Sequence, residues 1–125
     1  MSSNNDRFSH STIDDNEIVV GTIKESNLDK DNSQEILDHV RDDLSNYPDY
    51  EHYILDVRQV KEVSNSALGV LLKALNIIKR TGGYMILVMT EDLLQKIMIE
   101  QPAMFDFFAV FHSIDEAKEY IRAKS

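Results

Sequence analysis

Three neighbouring polar residues, Ser64-Asn65-Ser66, are the best candidates for chemistry in this chain. They follow the apolar segment Tyr53–Val57 after a short connection and come directly before a stripe of leucines, where a helix is expected to begin. The start of a helix leaves backbone N–H groups unpaired and carries partial positive charge. A phosphate on either serine would be stabilised there and could be recognised by a partner. Other uses of such a turn are a catalytic serine, a phosphate-binding loop and a plain helix cap.

A plain cap is the simplest interpretation of the turn, because Ser and Asn are preferred at helix N-caps. Asp56 favours a functional site instead. It stands at the carboxyl end of a predicted buried strand, and α/β domains usually keep their binding sites at that edge of the sheet. The alternative role of Asp56 is to accept hydrogen bonds from backbone N–H groups of the following loop.

The groups that would make the turn catalytic do not accompany it in the sequence. Cysteine is absent, and no two of the four histidines have the spacing of metal ligands: His10, His39, His52 and His112. Gly82-Gly83 lies at a predicted helix end before a strand, which is the reverse of the order in a nucleotide-binding loop. The sequence therefore predicts a protein that is not an enzyme and has no metal or cofactor.

The composition excludes several classes of partner. The formal net charge is −9 and 28% of the residues are charged, as in ordinary globular proteins. Nucleic acids and anionic membrane surfaces both attract clustered Lys and Arg, so neither is an expected partner. No apolar run approaches the roughly 20 residues that span a bilayer. The N-terminus lacks the apolar core of a signal peptide, and the expected location is the cytoplasm.

Apolar runs alternate with helical stripes, which predicts one α/β domain over residues 15–125. Residues 1–14 are expected to form a flexible segment or an edge strand, the strand covering Phe8–Ile13. Because strands and helices alternate, the central strands are expected to be parallel, in a mixed sheet with helices mainly on one face. The other predicted strands are Glu17–Ile23, Tyr53–Val57, Tyr84–Met89 and Phe107–Phe111.

The predicted helices begin and end at local signals. The first is expected to end at Tyr47-Pro48, because proline cannot continue a helix. The second covers residues 66–80 and is closed by Gly82-Gly83, so the polar turn stands at its start. The remaining start signals are two capping boxes and one single cap, formed by Asn32 with Glu35, by Ser113 with Glu116, and by Thr90.

Five segments, in order and together spanning about residues 15–123, resemble the STAS domain of bacterial anti-sigma factor antagonists: Leu28–Ser33, Ile54–Val57, Val63–Leu72, Gly82–Val88 and Phe107–Ala117. The resemblance implies a small mixed sheet with helices on one side. The function it implies is partner switching, in which the domain binds an anti-sigma kinase and so frees a sigma factor for transcription. The kinase phosphorylates a Ser or Thr at a helix start, which breaks the complex, and a phosphatase restores binding. The domain itself does no catalysis.

The chain departs from this family at the polar turn. The family motif is Asp-Ser-Ser/Thr-Gly-Leu, in which the first hydroxyl residue after the Asp accepts the phosphate. In this chain Ser64 takes the Asp position, Asn65 the acceptor position, Ser66 the next one and Ala67 the glycine position. Asn cannot be phosphorylated, and it lacks the charge that would mimic a phosphate.

Two interpretations of this departure stay open. In the first, Ser66, or else Ser64, accepts the phosphate through a small shift in register, with Ser66 preferred. In the second, the turn is a fixed neutral surface, and the chain is a scaffold or accessory subunit of a stress-sensing assembly or a transporter.

The resemblance also implies a surface that contacts the kinase. Asp29 and Asp56 match acidic positions near the turn, so the expected partner-binding residues are Asp29, Asp56, Ser64, Asn65, Ser66 and Ala67. The expected partners are an anti-sigma factor serine kinase or a related switch protein, together with a phosphatase. The chain is expected to be a monomer or weak dimer that neither binds nucleic acid nor inserts into a membrane.

Overall fold

A computed structural model describes residues 8–13, 17–82, 84–100, 102–106 and 109–124. The strands are β1 (Phe8–Ile13), β2 (Ile18–Ile23), β3 (Asn27–Leu28), β4 (His52–Asp56), β5 (Glu62–Val63), β6 (Tyr84–Val88) and β7 (Ala109–Phe111). The helices are α1 (Lys30–Asn46), α2 (Asn65–Arg80), α3 (Glu91–Glu100) and α4 (Ile114–Lys124), with a 3₁₀ turn at Pro102–Asp106. Some predicted features lie outside the described residues: residues 1–7 and 14 of the N-terminal segment, Gly83 of the glycine pair, and residues 107–108 of the last strand.

The larger of two sheets in the described residues has five strands in the order β1-β2-β4-β6-β7. β1 is antiparallel to β2 at one edge, and the other neighbours are parallel. Parallel neighbours need a crossover between them, which α1, α2 and α3 provide. The predicted mixed α/β sheet is therefore confirmed.

Both faces of the central strands are buried, because successive side chains point to opposite sides of a sheet. Val19, Tyr53 and Leu55 belong to a large core that includes residues of α1, α2 and α3. The alternate positions, such as Val20 and Ile54, form a smaller core that is covered by α4. Most of the described helices thus pack on one face, as predicted, and the continuous apolar runs arise because α4 covers the other.

The described helices are amphipathic rather than uniformly apolar. α1 buries Ile36, Leu37 and Val40 and leaves most of its charged residues in solvent. α2 buries the leucine stripe and carries Lys79 and Arg80 in its last turn, where cations interact favourably with the helix dipole. Among the helices of the described residues, none has the length and apolarity needed to cross a membrane.

The predicted start of α1 was wrong by one turn. α1 begins at Lys30, and its N-cap is Asp29, not Asn32. The Asp29 carboxylate accepts hydrogen bonds from the backbone N–H groups of Asp31 at 2.9 Å and Asn32 at 3.0 Å. The Asn32 side chain in turn accepts from the Asp29 N–H at 2.8 Å, which completes the capping box. A carboxylate is favoured over an amide at this end because its charge also interacts with the helix dipole.

Three of the other predicted helix boundaries are confirmed. α1 ends at Asn46, directly before Tyr47-Pro48. Thr90 Oγ1 accepts from the Leu93 N–H at 3.2 Å and begins α3. Ser113 accepts from the Glu116 N–H at 3.1 Å and begins α4. These ends depend on residues three or four positions apart, which is why local sequence predicts them.

Candidate functional site

A second, two-stranded sheet joins the starts of α1 and α2. β3 and β5 are parallel, with Leu28 paired to Val63. The backbone N–H of Ser64 donates to the carbonyl oxygen of Leu28 at 2.9 Å. Leu28 is only 2% exposed, so it anchors this ladder to the core. Asp29 and Ser64, the residues that follow the two paired strands, cap α1 and α2, and the two helix starts therefore lie side by side.

The polar turn forms the first positions of α2. Ser64 is the N-cap, with extended backbone (ψ 163°), and its Oγ accepts from the Ala67 N–H at 3.1 Å. α2 therefore begins at Asn65, one residue before the predicted start. Ser66 is the second helical residue, where the backbone N–H has no intrahelical acceptor.

The structure separates the predicted partner-binding residues into exposed and buried ones. Asp29, Ser64, Asn65 and Ser66 are exposed, so these four share a surface at the joined helix starts. The side chain of Ala67 is completely buried in the large core, so it does not belong to this exposed surface. The role of Ala67 in partner binding stays a prediction.

Asp56 is also buried, with 4% of its surface exposed. Its Oδ1 accepts from the backbone N–H and the Nε of Arg58, at 3.0 and 2.9 Å, and its Oδ2 accepts from the Arg58 Nη2 at 2.7 Å. The predicted loop-binding role of Asp56 is thus confirmed, and its role in partner binding stays a prediction. The hydrogen bond with Asp56 raises the pKa of Arg58 above its usual value. The exposed group at this point is the guanidinium.

Sequence reasoning missed a groove beside the turn that is walled by α2, α3 and β5. It is lined by Glu62, Val63, Asn65, Leu68, Leu93, Lys96, Ile97 and Glu100. Lys96 of α3 donates from Nζ to the Glu62 carboxylate of β5 at 2.8 Å. These two residues lie 34 positions apart in the chain, so no local signal could have paired them.

The charges around the turn are unevenly distributed. On the α1 side, a depression is lined by Glu25, Asp29, Asp31, Asn32 and Glu35. On the α3 side, an open cleft of about 560 Å³ is lined by Arg58, Val60, Lys61, Thr90, Asp92, Leu93, Gln95, Lys96 and Ile99. The turn therefore separates a strongly acidic surface from one that carries three cations, a contrast that the net charge of the chain conceals.

The chemical groups described at the turn are a helix cap and exposed polar side chains. In the described residues, the hydrogen-bond partner of the Ser64 hydroxyl is the backbone N–H of Ala67. Nowhere in the same residues do three or more His, Asp or Glu side chains form a group that could hold a metal ion. All three residues of the turn are exposed, and the Ser64 side chain also caps α2.

Solved structures with this fold include regulators and part of a transporter. A candidate anti-sigma factor antagonist from Thermotoga maritima is 22% identical, with 92% of this chain and 94% of that chain covered and a TM-score of 0.71. The anti-sigma factor antagonist SpoIIAA in its unphosphorylated form is 16% identical, with 93% and 96% covered and the same TM-score of 0.71. The murine anion transporter Slc26a9 is 18% identical, with 86% of this chain but 18% of the transporter covered, and a TM-score of 0.69. At these identities the likeness concerns the fold.

Sequence comparison identifies the family. A search of curated protein sequences finds no significant match. The family model for the STAS domain, however, matches residues 14–117, which include every element from β2 to β7 and the start of α4. The chain therefore belongs to the STAS domain family, as its resemblance to that family predicted.

Proposed function

We propose that this protein is a non-enzymatic regulatory binding module: an anti-sigma factor antagonist that binds an anti-sigma kinase in a partner-switching system. The observation that carries the proposal is the turn itself. Ser64, Asn65 and Ser66 are exposed together at the start of α2, and the β3–β5 ladder holds them beside the start of α1. Structural relatives with the same fold are named as anti-sigma factor antagonists, which supports the same role. Such a role regulates transcription from the cytoplasm, which is the proposed location.

Ser66 is the proposed phosphate acceptor. It is exposed at the second position of α2, and among the described residues no hydrogen bond of its hydroxyl has to be broken before a kinase can reach it. Ser64 is the second candidate, because its Oγ already accepts the Ala67 N–H as the helix cap. A phosphate on Ser66 would add about 1.5 to 2 negative charges near Asp29 and Asp31. Repulsion and steric change at this surface would then release a kinase that binds the unmodified turn.

A second function is favoured by Asn65. This residue occupies the position of the family's acceptor and cannot be phosphorylated. A turn that stays neutral suits a scaffold or accessory subunit, whose binding is constitutive. One neighbour in fold is the anion transporter Slc26a9, which makes a transporter-associated role a specific form of this alternative.

Phosphorylation with site mapping tests the leading proposal. The purified chain is incubated with ATP and each anti-sigma kinase of the source organism, and modified residues are located by mass spectrometry. We expect one phosphate on Ser66, its loss in Ser66→Ala, and retention in Ser64→Asn, which keeps a capping side chain. Binding of the unmodified chain is measured by calorimetry and should weaken after phosphorylation. If no kinase binds or modifies the chain, the antagonist role is rejected.

The size of the native assembly separates the two functions. If the chain has the switching role, size-exclusion chromatography with light scattering should show a monomer or weak dimer. Kinase binding that is lost on phosphorylation should also return after phosphatase treatment. A stable large assembly that is unaffected by kinase and ATP would support the scaffold instead. Copurification with a transporter that is encoded by an adjacent gene would support the transporter-associated form.

A further inference from the structure

Lys96 is placed where it can respond to charge at the polar turn. The residues that line the groove beside α2 include Asn65 of the turn, Glu62 of β5, and Lys96 and Glu100 of α3. Among the described residues that line it, Lys96 is the one cation, while Glu62 and Glu100 are anions. A negative group added next to Asn65 would thus be repelled by two carboxylates, and Lys96 is the groove residue that could neutralise its charge.

The present partner of Lys96 can be exchanged at low cost. Its Nζ donates to Glu62 at 2.8 Å and lies 3.4 Å from the carbonyl oxygen of Lys61. The side chains of Lys96 and Glu62 are 47% and 61% exposed. An ion pair this exposed adds little to stability, and a released Glu62 carboxylate would be solvated by water.

We propose that Lys96 senses negative charge at the start of α2 by leaving Glu62 and pairing with the added group. The pair between Lys96 and Glu62 connects α3 to β5, so its exchange links α3 to the α2 start when the turn is charged and loosens α3 from β5. Modification of the turn would in this way alter the α3 surface, which includes Lys96, Gln95 and Ile99. Lys96 thus couples the charge at the turn to the position of α3.

This inference rests on the proposed function only for the source of the charge, a phosphate on Ser66. The response of Lys96 is a property of the chain alone and can be measured without a kinase or partner. If Lys96 does not respond to charge, the antagonist role is still decided by the phosphorylation experiment. If no kinase modifies the chain, the response of Lys96 can still be measured.

The test is an NMR pH titration of a carboxyl introduced by Asn65→Asp, made alone and combined with Lys96→Gln, Glu62→Gln or Lys73→Gln. The helix dipole lowers the pKa of this carboxyl in every background. We expect Lys96→Gln to raise that pKa, with the acid dissociation constant falling about two- to fivefold. Glu62→Gln should lower it because a neighbouring anion is removed, and should lower it less in the Lys96→Gln background, where there is no Lys96 to release. Lys73→Gln removes an exposed cation about 12 Å further along α2 and should change nothing.

Two results would overturn the proposal. If the carboxyl titrates alike with and without Lys96, the helix start alone stabilises it. If Lys96→Gln has its effect but Glu62→Gln has none, Lys96 does not exchange partners. The carboxyl of Ser66→Glu is titrated in the same backgrounds and should follow the same order. An effect confined to position 65 would overturn the link to phosphorylation of Ser66.

Discussion

The phenolic O–H of Tyr53 donates a 2.6 Å hydrogen bond to Oδ2 of Asp43, and this buried contact ties the central strand β4 to α1. Asp43 is 3% exposed and Tyr53 is fully buried. His10 of β1 lies on the other side of the carboxylate, with Nδ1 3.8 Å from Oδ1. The buried carboxylate of α1 is therefore approached from both β4 and β1.

Tyr53→Phe should destabilise the protein by about 1–3 kcal/mol, because it leaves the buried Asp43 carboxyl without its donor. The measurement is the free energy of unfolding in urea at neutral pH. Tyr50→Phe is the matched control, since the described partners of the Tyr50 hydroxyl are the uncharged groups of Thr81 and Ile78. Equal losses for the two variants would contradict a special contribution from the Tyr53–Asp43 contact.

Asp43→Asn should change how stability depends on pH. Burial raises the pKa of Asp43 above its ordinary value of 3.8, against smaller opposing effects of Tyr53, His10 and His39. The folded state then binds this proton more tightly than the unfolded chain does. The stability from protonated Asp43 is fully present below about pH 3.8 and is lost as pH rises through the higher pKa of the folded state.

Asparagine carries no such proton and can still accept from Tyr53. The stability of Asp43→Asn relative to the parent should therefore improve between about pH 4 and about pH 7, as measured by urea unfolding at both. The variant Asp49→Asn, at an exposed position that is not among the groups shifting the Asp43 pKa, serves as the control. A difference between Asp43→Asn and the parent that is the same at both pH values would show that the pKa of Asp43 is not raised.

Ser64→Ala should cost about 1 kcal/mol, because the Ala67 N–H loses its acceptor at the start of α2. Ser64→Asn should stay close to the parent, since Asn is an equally good N-cap. Thermal unfolding followed by circular dichroism measures both variants. If Ser64→Ala unfolds like the parent, the hydroxyl does not stabilise α2, and the alanine variant becomes a safe control for phosphorylation.

Arg58→Leu should destabilise the protein by about 1–3 kcal/mol, because the buried Asp56 carboxylate loses its two guanidinium donors. Adding Asp56→Asn to this variant should recover part of the loss, since no uncompensated charge is then buried. Urea unfolding of the two single variants and the double variant measures the coupling. Losses that simply add would contradict a direct interaction between Arg58 and Asp56.

Gly69→Ala should stabilise the protein by about 0.5–1 kcal/mol. Gly69 lies within α2, where alanine is the better helix former, and a β-carbon there would meet no atom within 4 Å. Gly82→Ala is the contrasting variant, because Gly82 has a φ of +88° and alanine would be strained there. The two variants should shift the melting temperature in opposite directions, and a decrease for Gly69→Ala would reject the expectation.

Local sequence was enough to predict the five strands of the larger sheet, the four helices and most of their ends, but not the short strands β3 and β5. The apolar runs of β2, β4 and β6 and the leucine stripe of α2 depend on periodicity, and Thr90 and Ser113 cap helices only three residues away. The start of α1 was predicted at the wrong residue because Asp29 and Asn32 can both cap a helix and lie only three positions apart. The charge of Asp29 makes it the better cap. The candidate turn was found for the same reason, since Ser64 stands next to the helix that it caps.

The surroundings of the turn were decided by tertiary structure. Ser64 reaches Leu28, and Lys96 reaches Glu62, across 36 and 34 positions of the chain. Residues this far apart meet only after β3 pairs with β5 and α3 packs over the sheet, so a sequence pattern cannot contain the contact. Burial also depends on tertiary packing. Asp56 and Ala67 matched a surface motif in sequence, yet both side chains are buried in the folded protein. The sequence by itself determined a STAS-like α/β domain with a polar helix start, whereas the fold alone determined which charges stand around it.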